Sequence, residues 1–328
     1  MLKEKIKSFL AVCILIITIP YIITFFFQRN ETLPGYEALR ETDGENSFSQ
    51  ESSPIDKAAD PKEASQEETP SKQADIDIEE YLIGIVATEI SLDYEPEAIK
   101  AQAVIARTSL TAALDAGSSA LPASMSREEM ITLWGQDGFE ENYQALVHAI
   151  QDTQGEILTY GGQPILAAFH AVSAGKTRDS KDASIENAPY LCSADTSLDI
   201  PSPDFLSVVF MEKKEFLRKL QEGCPAFDAE PEHVMEHFNI EARDGSGYVI
   251  QAKLGEAVMS GESLRECLGL NSSCFYIKEV EGQIRIVTRG LGHGLGLSQY
   301  AANEMAKEGK DYQEILSYFY KNTDLASQ

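Results

Sequence analysis

From residue 77 onward the apolar positions repeat with a helical period and then with the shorter rhythm of strands. In "DIEEYLIGIVATEI" (77–90) Leu82, Ile85 and Val86 form one stripe. In "EPEAIKAQAVIARTSLTAALDAG" (95–117) Ile99, Ala103, Ala106, Leu110 and Leu114 form another, which Gly117 stops. These stretches predict two helices joined at Ser91–Tyr94, and "FEENYQALVHAIQDTQG" (139–155) predicts a third. "EILTY" (156–160) and "PILAAF" (164–169) predict a hairpin across Gly161 and Gly162. Between about 205 and 288 helical pieces ("EFLRKL", "GESLREC") mix with strands ("YVIQAKL", "IRIVT"), a candidate second lobe. Two helices, "LSQYAANEMAKEG" and "DYQEILSYFY", follow near the end. Helices and short strands do not alternate regularly, so the expected class is α+β rather than a doubly wound sheet.

The first 76 residues read differently. Lys3, Lys5 and Lys7 precede an apolar run from Phe9 to Phe27, about long enough to span a bilayer as a helix and interrupted at Pro20. No A-x-A pattern follows, so residues 1–29 are expected to be an uncleaved signal anchor, with everything after Arg29 outside the cytoplasm. Residues 30–75, rich in Glu, Asp, Ser and Pro, have the composition of a disordered acidic linker. A folded head from 76 to 324 would then work at some distance from a membrane. The formal net charge of −26 excludes nucleic acid as a partner, because phosphate binding calls for clustered Lys and Arg. Any anionic substrate must be met by a local basic patch. The five cysteines contain no C-x-x-C, which argues against structural zinc; a bridge such as Cys267 to Cys274 is permitted in that compartment but not deducible.

Two places carry candidate chemistry. Glu89 lies seven residues after Leu82, four after Ile85 and three after Val86, so it falls on the apolar stripe, where a carboxylate is costly. Either a cation neutralises it, with Lys100 and Arg107 on one face of the next helix available, or it is a general acid whose apolar setting keeps it protonated. The second place is "RGLGHGLGLSQYAANEMA" (289–306), with glycine at every second position from Gly290 to Gly296 around His293. It lacks the Lys-Ser/Thr of a phosphate loop, and Leu295 stands where a dinucleotide fingerprint needs its third glycine. It is either a tight structural turn packed on a strand or a surface that lets a ligand approach the backbone. His170, at the end of the second hairpin strand, precedes the polar turn Ser173–Thr177. A triad of Ser173, His293 and Asp195 is conceivable but lacks a G-x-S-x-G elbow, and H-E-x-x-H is absent. "HVMEH" (233–237) offers a histidine pair at i, i+4 and reads as a surface feature.

Taken together, "VATEISLDYEPEAIKAQAVIARTSL", "FHAVSAGKTRDS", "APYLCSADTSLD" and "GLGHGLGLSQYAANEMAKEGKDYQEILSYFY" resemble the stage II sporulation protein D family, over about residues 76–324. The resemblance implies a two-lobed head with a groove, and a lytic transglycosylase that cuts peptidoglycan glycan strands, preferably stem-free, without cofactor or metal. It gives Glu89 the role of catalytic acid. It also implies that the 290–299 loop lines the groove, with Gly292 and Gly294 near sugar, and His293, Ser298 and Gln299 binding it. Ser173, Lys176 and Thr177 would bind from the opposite wall, and Lys176 or Arg107 would meet the muramic lactyl carboxylate. Lys100, His170 and Asp195 complete the implied substrate-binding set. Asp93 and Asp195 stay open as second carboxylates. Implied partners are a peptidoglycan amidase/endopeptidase and a membrane scaffold of the engulfment machinery. The rival reading is a non-catalytic glycan-binding enhancer of a cell-wall amidase. The sequence departs from the family pattern at Ala174, usually glycine, and in "TSL" after Arg107, where "T-Y" is common; neither touches Glu89.

Overall fold

The computed structural model describes residues 77–327, so the expected anchor and the whole of the expected linker lie outside the described residues. The first helix, α1 (Ile78–Glu89), starts where Asp77 accepts hydrogen bonds from the backbone N–H groups of Glu79 and Glu80, at 3.1 and 3.3 Å. An acidic side chain at that end also complements the helix dipole. Helix α2 (Pro96–Asp115) has proline in its first turn and buries residues around most of its circumference. A helix apolar on all sides belongs in the middle of a core, and α1, α3 (Arg127–Asp152), strand β1 (Glu156–Tyr160) and two later helices pack on it. Leu82, Ile85, Val86, Ile99, Ala103, Ala106, Leu110, Phe139 and Leu146 form this core.

The third helix is longer than its apolar pattern suggests. It starts at a capping box in which Ser126 and Glu129 satisfy each other's backbone N–H groups, and it breaks at Gly135, whose φ of 74° leaves the helix. The predicted hairpin forms, pairing Thr159 with Pro164 and Tyr160 with Gln163. Its second arm is a ladder only at its ends, β2 (Gln163–Pro164) and β3 (Phe169–His170), since residues 165–168 leave β1 to enter the interior.

Residues 206–289 hold their own buried cluster, which includes Phe216, Leu220, Val249, Leu264, Phe275 and Ile286. Two three-stranded antiparallel sheets enclose it with helices α4 (Lys213–Gly223) and α5 (Gly261–Leu268). One runs β4 (Leu206–Glu212), β9 (Gln283–Arg289), β8 (Phe275–Val280); the other runs β5 (Phe238–Arg243), β6 (Val249–Leu254), β7 (Ala257–Ser260). The chain then returns through β10 (Leu297–Ser298), which pairs in parallel with β3, into α6 (Gln299–Lys307), α7 (Tyr312–Phe319) and β11 (Asp324–Ser327). Mixed helices and small sheets make the class α+β. The four described cysteines are free thiols, so the permitted Cys267–Cys274 bridge is not formed. His233 of the "HVMEH" pair lies on the surface, paired with Glu236 at 2.8 Å.

Candidate active site

Glu89 is the last residue of α1, one step beyond the fully buried Leu82, Ile85 and Val86. Part of its surface meets solvent, while protein packs closely around the carboxyl. That enclosure raises its pKa from 4.5 to about 8, against the opposing pull of a hydrogen bond from Gln102. Near neutral pH the acid is therefore mostly protonated.

The two cations that could have neutralised it are engaged elsewhere. Lys100 pairs with Glu97 at 2.8 Å and Asp152 at 2.9 Å. Arg107, 1% exposed, forks onto Glu79 at 2.9 and 2.7 Å and donates to the backbone carbonyls of Ile150 and Glu156. Arg107 thus ties α1 to the end of α3, and burial takes it out of reach of a lactyl carboxylate. Glu89 is held instead by amides. Gln102, fully buried on α2, donates its Nε2 to Glu89 Oε2 at 2.8 Å. Gln299, at the start of α6, donates to the Glu89 backbone carbonyl at 2.7 Å and to Gln102 Oε1 at 3.2 Å. This chain orients the carboxyl without supplying a charge.

The glycine loop packs as a tight turn, and the protein's own atoms occupy the space its glycines leave. A Cβ at Gly296 (φ +67°) would lie 1.8 Å from the Ala168 carbonyl oxygen; one at Gly294 (φ +82°) would meet the Tyr248 ring at 2.5 Å. Gly292 abuts the Cβ of His170 in the same way. His293 and Ser298 are buried in the loop, and Ser173 and Thr177 on the facing segment are equally buried. Ser298 donates to Asp199 at 2.8 Å, and Ser173 shares a short hydrogen bond with Thr196. Ser298, Ser173 and Thr177 thus spend their hydroxyls on other groups of the protein, while Nε2 of His170 and Nε2 of His293 are buried without a hydrogen-bond partner among the described residues. Of the residues expected to bind substrate, Lys176 and Asp195 are the ones exposed to solvent; they face each other across a two-residue bridge. Hydrogen bonds from Ser197, with help from the Lys176 charge, keep the Asp195 carboxyl below its usual range.

His170 and His293 form a buried pair, ring centroids 5.8 Å apart. Leu295 fixes both rings: its carbonyl faces His170 Nδ1 at 3.0 Å and its N–H donates to His293 Nδ1 at 3.1 Å. From those contacts His170 carries its proton on Nδ1 and His293 on Nε2. Burial lowers His170 to about 4, and burial together with the neighbouring ring lowers His293 well below 6.5, so both are neutral. Ser173, His293 and Asp195 do not form a triad, because Ser173 bonds Thr196 and His293 bonds Leu295. Among the described residues no group of three or more His, Cys, Asp or Glu side chains could hold a metal ion.

The model of the stage II sporulation protein family (SpoIID) matches residues 66–160, the stretch that contains Glu89, Gln102 and Arg107. Stage II sporulation protein D of Bacillus amyloliquefaciens is 32% identical over 336 residues, covering 96% of this chain and 93% of that protein. The chain belongs to the stage II sporulation protein D family. The Bacillus subtilis (strain 168) protein of that name is 31% identical, over 99% of this chain and 96% of its own. An amidase enhancer of the same strain is 24% identical over 75% of this chain and 40% of its own length.

Two residues of this stage II sporulation protein D family member matter to the site and escape a pattern reading. Gln102 sits inside the apolar run "IKAQAVIA"; an amide there, as out of place as Glu89 on its own helix, was the available signal. Asp199 is fully buried, yet it accepts the Ser173 N–H at 2.8 Å and the Ser298 hydroxyl, at the N-terminal end of α6. Burial raises its pKa, and these donors oppose the rise. It joins three of the four motif blocks and so fixes the end of α6 from which Gln299 reaches Glu89.

Proposed function

We propose that this chain is a peptidoglycan lytic transglycosylase with Glu89 as its single acid–base group. The observation that carries the proposal is an enclosed carboxyl that accepts a hydrogen bond from Gln102, itself held by Gln299, and that pairs with no cation among the described residues, so that burial pushes it up to about 8. Hydrolysing glycosidases take two carboxylates, one as acid and one to activate water or attack the sugar. The other candidates here are ill suited: Asp93 and Asp195 are exposed, and Asp199 is locked among serines under α6. A lytic route needs one group used twice. Protonated Glu89 gives its proton to the oxygen bridging N-acetylmuramic acid and N-acetylglucosamine as that bond breaks. As a carboxylate it then takes the proton of the muramyl C6 hydroxyl, whose oxygen closes onto C1 as a 1,6-anhydro ring. The proton returns to Glu89 and no water is consumed.

Exposed Lys176 is the candidate contact for the lactyl carboxylate, replacing Arg107 in that role. In this reading residues 205–288 are a second lobe bordering the glycan groove, and stem-free strands are the preferred substrate. The head works outside the mother-cell membrane on an N-terminal anchor during engulfment, beside a peptidoglycan amidase/endopeptidase and a membrane scaffold. The test is turnover of purified stem-free strands by wild type and by Glu89→Gln. Removing the acid should slow cleavage by about 10²–10⁴-fold. The second reading, a glycan-binding enhancer of an amidase, draws on the relative of that name and on the burial of most motif residues. It predicts binding without cleavage by either protein.

A further inference from the structure

The sheet β4–β9–β8 carries an uncovered feature that the Glu89 chemistry does not use. Its inner side packs Met211, Ile284, Ile286 and Phe275 into the core. Its outer side presents Leu206, Val208 and Phe210 on β4, each about half exposed, beside Arg289, Val287 and Arg285 in register on β9. Next in register on β8 come Tyr276 and Lys278. Among the described residues β4 pairs with β9 alone, leaving its other edge free. Exposed apolar edge strands are rare in isolated proteins, because they invite pairing with another chain.

Charge narrows the occupant. Lys278 and Arg285 are directly opposed across two strands, a like-charge pair that costs stability unless something lies over it. Arg243 and Arg289 both approach the Tyr276 ring, at 4.3 and 5.4 Å. Among the described residues none of these four cations has an acidic partner, and Arg285 Nε is buried without any hydrogen-bond partner, in a chain of net charge −26. The patch is cationic where the protein is not.

We propose that β4 is a docking edge for an extended segment of a partner protein that alternates acidic and apolar side chains. Such a segment would extend the sheet by one strand. Its acidic side chains would lie on the outer side, two strand spacings or about 10 Å from the β9 backbone, a gap that the long side chains of Arg285 and Arg289 reach across over β4. Its apolar side chains would cover the inner side, where Val209 remains 39% exposed. Exposure on both sides of one strand is what distinguishes a free edge from a face resting on a lipid surface, which would explain only Leu206, Val208 and Phe210. A second copy of the chain is disfavoured, since its β4 edge offers no row of acidic side chains to meet the β9 arginines and each copy carries a net charge of −26.

The test uses the full-length chain and a labelled synthetic peptide alternating glutamate and valine. Companion probes are the lysine–valine analogue, a backbone N-methylated version and anionic phosphatidylglycerol vesicles. The expected result is binding of the glutamate peptide alone, weakened roughly tenfold by Arg285→Glu, with the lysine peptide gaining affinity for that variant. Phe210→Glu, a surface change, should weaken binding without shifting the thermal melt. Equal binding of the N-methylated peptide would overturn strand addition. Unchanged charge preference in Arg285→Glu would overturn the assignment of the patch. Vesicle binding without peptide binding, or a dimer that Phe210→Glu dissolves, would replace the proposed partner with lipid or with a second copy.

Discussion

Replacing Glu89 by glutamine tests its electrostatic setting without any assumption about substrate. The native carboxyl holds its proton up to about pH 8, while the unfolded one releases it near 4.5. Between those values the folded state binds more protons than the unfolded state, so stability falls as pH rises through the window, and the loss is complete above about 8. Each pH unit is worth about 1.4 kcal/mol, so a carboxyl raised this far costs up to about 5 kcal/mol at alkaline pH. Glutamine keeps the shape and cannot ionise. Urea unfolding of both proteins from pH 4 to pH 9 should therefore give a difference near zero at the acid end, with the variant ahead by up to about 5 kcal/mol at the alkaline end. All other titrating groups are common to both proteins and cancel. A difference curve flat with pH, or one favouring wild type at alkaline pH, would refute the buried neutral acid.

Other expectations follow from the same contacts. Gln102→Leu removes the donor to the ionised carboxyl, a bond worth about 1.5–3 kcal/mol, so Glu89 should titrate about one to two units higher by carboxyl-carbon NMR. Arg107→Met strands Glu79 and the carbonyls of Ile150 and Glu156, and a loss of about 3–5 kcal/mol should show as a lower urea midpoint. Gly296→Ala drives a Cβ into the Ala168 carbonyl at a left-handed backbone position, and the chain should fold poorly or lose the order of α6, read by hydrogen exchange. Burial of His170 neutral, with its pKa lowered to about 4, means stability present above pH 6.5 and lost as pH falls toward 4; His170→Asn should flatten that acid limb.

The helices were legible because each has one face to bury, and Glu89 was legible because it violates that face. The glycine run was legible as a close approach but not as to what approaches: Ala168, His170 and Tyr248 are remote in sequence, and a local pattern does not say which of them fills the space. Arg107 shows the same limit. Its spacing from Lys100 is local and visible, whereas its partner Glu79 lies 28 residues away and on another helix. Strand β4 was missed because "LSVVFME" has apolar residues on both sides, so no period-two alternation marks it. That absence of alternation matches its position at a free edge.

The most direct measurement of the central claim is the fate of water during glycan cleavage. Stem-free strands digested by the full-length protein in heavy-oxygen water would be separated and weighed by mass spectrometry. If Glu89 alone serves as acid and then as base toward the C6 hydroxyl, every new muramic end is a 1,6-anhydro sugar, one water lighter than a hydrolysis product and free of heavy oxygen. Heavy oxygen in a reducing muramic end would contradict the account, because it requires a water-activating carboxylate that the site does not offer.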